Sequence, residues 1–251
     1  MTMSSGTGQP GTSFPKRFYK DATVAADAGG FALRLDGKSA RTPSRSAVVL
    51  PSAALAAAVA DEWAAVETVI DPRDMPLTRL ANSVIDGVSR TMPEVRAEIL
   101  RYAGSDLLAY RAPEPATLVA AQRAAWDPVI SWVGERFGAT VATGTGVMFV
   151  AQPSDLEARL GTALDEAVGT GAAAPFRLGA LHVVTTLTGS TLLALAVAFG
   201  RLDAEAAWAA AHVDEDFQIA QWGADAEAAE RRAGRWAEMR AAAHVLTLLR
   251  T

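Results

Sequence analysis

Apolar positions recur with period two near the start of the chain and at spacings of three and four over almost all the rest. Phe31, Leu33 and Leu35 alternate with Ala32 and Arg34, and Asp36-Gly37 follows at once. An alternating run that meets Asp-Gly predicts a β-hairpin, because a two-residue type I′ turn needs positive φ at both central positions. Segments 17–20 (RFYK), 23–26 (TVAA) and 47–50 (AVVL) read as further short strands. A helix then begins near Ser52, since Leu55, Val59, Trp63, Val66 and Ile70 recur at three and four.

Beyond Asp71-Pro72 the period stays helical. Leu77, Leu80, Val84, Ile85 and Val88 form one stripe, and Thr91-Met92-Pro93-Glu94 has the spacing of a capping box with Pro in the first turn. Val95, Ile99, Tyr102 and Tyr110 continue that helix. A helix over about 117–137 carries Trp126 and Trp132, with Pro128 bending or starting it rather than sitting in mid-ladder. Another runs from Leu156 to Val168, and 139–150 (ATVATGTGVMFV) reads as strand or loop. The last helices cover 203–222, capped by Asp203 and ended by Gly223, and 225–250. Strands first and helices afterwards imply an α+β fold. A small N-terminal β-rich α+β domain over 14–90 is expected, followed by a larger all-helical domain over 91–251. Residues 1–13, without Arg, Lys or an apolar core, read as a disordered lead-in and as neither a secretory signal nor a transit peptide.

One run tests the membrane alternative. Leu178 to Gly200 spans 23 residues without a formal charge, long enough for a bilayer. His182, Thr185, Thr186, Thr188, Ser190 and Thr191 interrupt it, and no aromatic belt flanks it. Two buried helices with a boundary at Thr188-Gly189-Ser190-Thr191 are expected instead. Composition narrows the picture further. Hydrophobic residues make up 50% of the chain, but 54 of them are Ala, so large core side chains are fewer than that figure suggests. The net charge of −5, without a basic stripe, argues against nucleic-acid binding. The absence of Cys removes disulfides, thiolate nucleophiles and zinc–thiolate sites.

Catalytic motifs fail one after another. No Gly-x-Ser-x-Gly elbow is present, and Gly144-Thr145-Gly146 is too short for a phosphate loop. Asp61 and Glu62 read as the wet side of a helix, Thr78 or Asp74 as a cap for the next one, and Trp126 as a buried indole beside a helix cap. His212, Glu215 and Asp216 share a helical face, which leaves a metal-dependent or acid/base enzyme as the alternative. Against it stands a solvated acidic face with Phe217 and Ala220 turned inward.

Taken in order, Phe18-Tyr19-Lys20, Gly30-Phe31, Leu35-Asp36-Gly37-Lys38, Arg41-Thr42-Pro43, Leu50-Pro51 and Asp61-Glu62-Trp63 form a recognisable series. It continues through Met75-Pro76-Leu77-Thr78, Asp106-Leu107-Leu108, Tyr110-Arg111, Gln122, Trp126-Asp127-Pro128, Phe217-Gln218 and Trp222-Gly223. Over residues 16 to 245 the chain resembles the assembly chaperones of the F-type ATP synthase that hold the α subunit of the catalytic head in mitochondria and α-proteobacteria. The resemblance implies a non-enzymatic protein without cofactor or small-molecule substrate. Its partner would be the free α subunit, masked until the β subunit arrives. The family's acidic motif falls on Asp214, Glu215 and Asp216, with Glu215 central, and its following positions on Gln218 and Trp222. Lacking a transit peptide, the chain is expected in a bacterial cytoplasm, where eukaryotic relatives occupy the mitochondrial matrix.

Overall fold

In the computed structural model, residues 14–250 are described, so the expected disordered lead-in lies outside the described residues. Strands β1 (Ala22–Asp27) and β2 (Gly30–Leu35) pair antiparallel from Ala22↔Leu35 to Asp27↔Gly30. β3 (Lys38–Ser39) and β4 (Val49–Leu50) both pair with β2. Asp36 (φ 49°) and Gly37 (φ 77°) make the two-residue turn from β2 to β3 with the positive φ values that type I′ requires. Segment 17–20 is not a strand. The Asp36 carboxylate accepts the N–H groups of Lys20 and Asp21, each at 2.9 Å, and thereby takes donors that a ladder would use. Lys16 instead bridges Val69, and Arg17 donates its N–H to the Thr68 carbonyl at 2.8 Å.

Helix α1 (Ala53–Ala65) starts where Ser52 Oγ accepts the Leu55 N–H, and lays Leu55 and Val59 on the buried Leu33 and Leu50 of the sheet. It stops earlier than the apolar period suggests. Val66 turns extended and the Arg17 guanidinium donates to its carbonyl, so Val66 and Ile70 lie beyond the helix. Helix α2 (Pro76–Asp86) has no side-chain cap of its own from Thr78 or Asp74. Glu62 supplies one from α1, accepting Leu77 N at 2.8 Å and Thr78 N at 2.7 Å, so it is not a wet-side acid. Burial raises its pKa, and those two N–H bonds pull the other way.

Helix α3 (Met92–Ala103) lacks the expected capping box, because the Thr91 hydroxyl turns back to the Gly87 carbonyl at 3.4 Å. It ends at Gly104, which leaves Tyr110 in a two-residue strand, β5 (Tyr110–Arg111), rather than in the helix. Helix α4 (Ala116–Phe137) runs through Pro128, which therefore sits inside the helix and does not start it. The missing N–H leaves one carbonyl of the turn before it without its helical donor. β6 (Gly144–Thr145) pairs parallel with β5. Helices α5 (Leu156–Val168), α6 (Ala174–Thr188), α7 (Thr191–Ala198), α8 (Ala204–Ala211), α9 (Val213–Trp222) and α10 (Ala226–Leu248) complete the fold. The expected single helix over 203–222 is broken at His212. Its Nδ1 lies 2.8 Å from the Trp208 carbonyl, the same acceptor that its backbone N–H uses at 3.1 Å.

The uncharged run forms α6 and α7, joined by Gly189 (φ 67°) and capped by Ser190, whose Oγ accepts Leu193 N at 3.0 Å. Leu178, Leu181, Val184, Leu192, Leu193 and Leu195 are buried, and α2, α3, α5 and α10 pack around α6. The run is therefore the centre of a helical bundle. No described helix is long and apolar enough to cross a membrane. Gly179 brings α6 against α2: a Cβ there would stand 2.6 Å from Val84 Cγ2. Buried Arg177 donates to the carbonyls of Val168 (3.1 Å) and Leu249 (2.8 Å), placing a cation at the C-terminal ends of α5 and α10.

Asp106 is the least expected core residue. It is enclosed; Oδ1 accepts Leu108 N and Oδ2 accepts Leu192 N, both at 3.1 Å. Burial raises its pKa from 3.8 to about 6 despite those bonds. Between these values the folded state holds a proton that the unfolded chain has released, so this group's contribution to stability falls as pH rises through about 6. Urea unfolding at pH 4 and pH 7 should therefore show a relative loss of about 2–3 kcal/mol in the wild type. Asp106→Asn, which cannot ionise, should lack that loss; equal pH slopes in the two proteins would refute the assignment.

Candidate functional site

The acidic motif lies in the first turn of α9, where its charges oppose the positive end of the helix. None of the residues of α9, all of them described, is buried. Phe217 is half-buried and Ala220 is exposed, so only the first of the two turns inward as expected. Polar bonds hold the helix to its neighbours. Gln122, buried in α4, donates Nε2 to Asp214 Oδ1 at 2.7 Å while its Oε1 accepts Ala112 N at 2.8 Å. Arg232 of α10 reaches Asp216 Oδ1 at 2.6 Å. Glu215, the central acid, makes only long contacts, 4.0 Å to Arg232 Nη1 and 3.8 Å to His212 Nε2, and its side chain is 43% exposed.

His212 is buried and its ring lies on Trp208, with centroids 3.9 Å apart. A carbonyl can only accept, so Nδ1 carries the proton that meets Trp208 O. Burial lowers the pKa of this imidazole, partly offset by its bond to that carbonyl. Two of the three residues of the enzyme alternative are thus occupied, His212 by the Trp208 carbonyl and Asp216 by Arg232, while Glu215 keeps only its long contacts to His212 and Arg232. Among the described residues no three His, Cys, Asp or Glu side chains are placed to share a metal ion.

Beside the motif, α9 and α10 enclose a groove of about 570 Å³. Trp208 and Trp236, 5.4 Å apart, and Ile219 make its apolar wall. Glu215, Gln218 and Arg232 stand at its edge, and Trp222, 81% exposed, projects at its end. Gly223 (φ 87°) ends α9 there, donating its N–H to the Ile219 carbonyl at 2.8 Å. Of the five residues singled out from the sequence, Glu215, Gln218 and Trp222 meet at the groove. Asp214 and Asp216 fasten α9 to α4 and α10 instead. Trp208, Arg232 and Trp236 were missed, because nothing local to α8 or α10 announces that these side chains converge.

The model of the family described as ATP12 chaperone protein matches residues 16–134. Atp12 from Paracoccus denitrificans is 41% identical and superposes with a TM-score of 0.85, over 94% of this chain and 98% of that one. The chain belongs to the ATP12 chaperone family. A protein from Agrobacterium tumefaciens is 48% identical with a TM-score of 0.87, over 93% of this chain and 86% of that one. The mitochondrial protein atp12 of Schizosaccharomyces pombe is 23% identical over 234 residues, 88% of this chain and 78% of that protein. The members of this family are chaperones rather than enzymes.

Because α9 is held by polar bonds, removing Arg232 should loosen it selectively. In Arg232→Ala, amide hydrogen exchange over 213–222 should quicken about fivefold, the loss of roughly 1 kcal/mol from a partly exposed pair. Exchange in α6 and α7 should not change, and uniform acceleration across the chain would show that Arg232 supports the whole fold instead.

Proposed function

We propose that this ATP12 chaperone assists assembly of the F-type ATP synthase by binding the free α subunit of its catalytic head. The exposed α9–α10 groove carries this reading. An apolar wall, an acid with only long internal contacts and an exposed indole form a surface suited to a partner with apolar and basic groups. A subunit bound for a large heteromeric interface carries an apolar patch that invites aggregation until its true partner arrives. Masking needs reversible contact and no chemistry, which suits a family of chaperones.

Glu215 is the residue we assign to the client, pairing with a client Arg or Lys across the groove edge. Asp214 and Asp216 would hold α9 in position, and Gln218 and Trp222 would add polar and aromatic contact. The higher identity to the Paracoccus and Agrobacterium chains, at 41% and 48% against 23% for the yeast protein, supports a bacterial cytoplasmic setting.

Co-expression with the α subunit tests the reading. The two proteins should co-purify and α should stay soluble; failure of both would refute the function. Glu215→Lys should abolish that rescue while shifting the unfolding midpoint by less than about 2 °C, since its own contacts are long and solvent-screened. A large drop in the midpoint would make Glu215 a structural residue.

A further inference from the structure

A second pocket, of about 490 Å³, lies between β5, β6 and α4 and shares no lining residue with the α9–α10 groove. Arg111 lines it, with a side chain only 13% exposed and its guanidinium 5.1 Å from the centre of the Trp126 ring. One nitrogen, Nη2, lies 2.8 Å from Asp127 Oδ1. The other two, Nε and Nη1, are enclosed and have no hydrogen-bond partner among the described residues. Because Nε and Nη1 are closed off, a ligand meets this guanidinium from the pocket side, where a largely buried positive charge favours a planar carboxylate as its acceptor. The neighbours offset this charge only in part. Gln122 spends both ends of its amide on Ala112 and Asp214, Asp127 is 55% exposed, and the same wall adds a second cation, the exposed Arg123.

An apolar tip stands next to this pocket. Directly after β6, Val147, Met148 and Phe149 are 97%, 78% and 75% exposed. The loop that presents them is built. Gln152 bonds the Ala142 backbone in both directions, at 3.0 and 2.9 Å, and Gly146 donates its N–H to the Arg111 carbonyl at 2.8 Å. Val150 folds back so closely that a Cβ on Gly144 would stand 2.6 Å from its Cγ2. Three adjacent bulky side chains held in solvent beside an incompletely paired Arg match a ligand with one carboxylate flanked by apolar groups.

We infer that this pocket is a second client-docking site, which takes an acidic side chain of the client on Arg111 and Arg123 and its flanking apolar residues on Val147, Met148 and Phe149. The identity of the client rests on the function proposed above; the chemistry of the site does not. Two measurements test it. First, the full-length protein is titrated by amide and indole NMR with the blocked peptide acetyl-Glu-Leu-Phe-amide, with its Gln counterpart, and with inorganic phosphate. The Glu peptide should saturate shifts at the Trp126 indole and at residues 144–147, at least tenfold more tightly than the Gln peptide. Binding should weaken at least fivefold when Val147, Met148 and Phe149 are all changed to Ser. Absence of saturable shifts, equal response to the Gln peptide, or phosphate acting as well as the Glu peptide would overturn the inference.

Second, purified α subunit is bound to wild type, to the triple Ser variant and to Arg123→Glu, all altered only at exposed positions. Each variant should bind at least fivefold more weakly. If wild type binds α and both variants bind equally well, the second site fails while the function proposed above survives. If wild type does not bind α, that function fails, and the peptide titration alone decides the chemistry of the pocket.

Discussion

The fold depends on placing the N-terminus of one helix, α7, in the middle of a bundle where no water can satisfy it. Helix α7 follows α6 after a turn at Gly189 and Ser190, and the pair carries no charged residue from Leu178 to Ala198. Its first N–H groups need acceptors, and an unmet buried donor costs about 1–3 kcal/mol. Ser190 supplies one oxygen from the adjoining residue and Asp106 another from the segment after α3. The second oxygen of Asp106 anchors its own turn through Leu108 N. One carboxylate therefore fixes the chain reversal at the centre and ties it to the segment that leads into β5 and α4.

Two further charged side chains act at helix ends. Glu62 completes the start of α2 from α1. Arg177 meets the last carbonyls of α5 and α10. Each joins an element to one distant in sequence, so the sheet with α1 and the helices after it are held by directional bonds as well as by a continuous apolar core from Tyr19 to Leu249. These joints add direction to a packing that close approaches, such as Gly179 against Val84, already shape.

Features whose cause is local were legible in the sequence. Asp36-Gly37, Gly189-Ser190, Asp203 and Gly223 carry their turn or cap chemistry within a few residues, and each acts in the structure as its residue type requires. The acidic turn and Trp222 were legible as a candidate surface for the same reason. Features that depend on a distant partner were not. Glu62 and Asp106 have ordinary local surroundings, and their roles come from residues 15 and 86 positions away. The break at His212 leaves the helical period intact and arises because an imidazole shares a carbonyl with its own backbone. Segment 17–20 has strand-forming residues, yet a side chain from across the hairpin takes its donors. The walls of the α9–α10 groove were hidden in the same way, since Trp208 and Trp236 come together only when α8 and α10 pack.

Helix α9 differs from the α6–α7 pair in how it is attached. The α6–α7 pair stays in place because apolar surface leaves water, a force that added salt does not weaken. Helix α9 has no buried residue, and to the partial burial of Val213 and Phe217 it adds two polar ties, from Gln122 to Asp214 and from Arg232 to Asp216, of which added salt screens the second. A cation at Asp216 would compete with Arg232 for the same carboxylate. Ionic strength therefore bears on the seating of α9 and leaves the apolar seating of the α6–α7 pair intact.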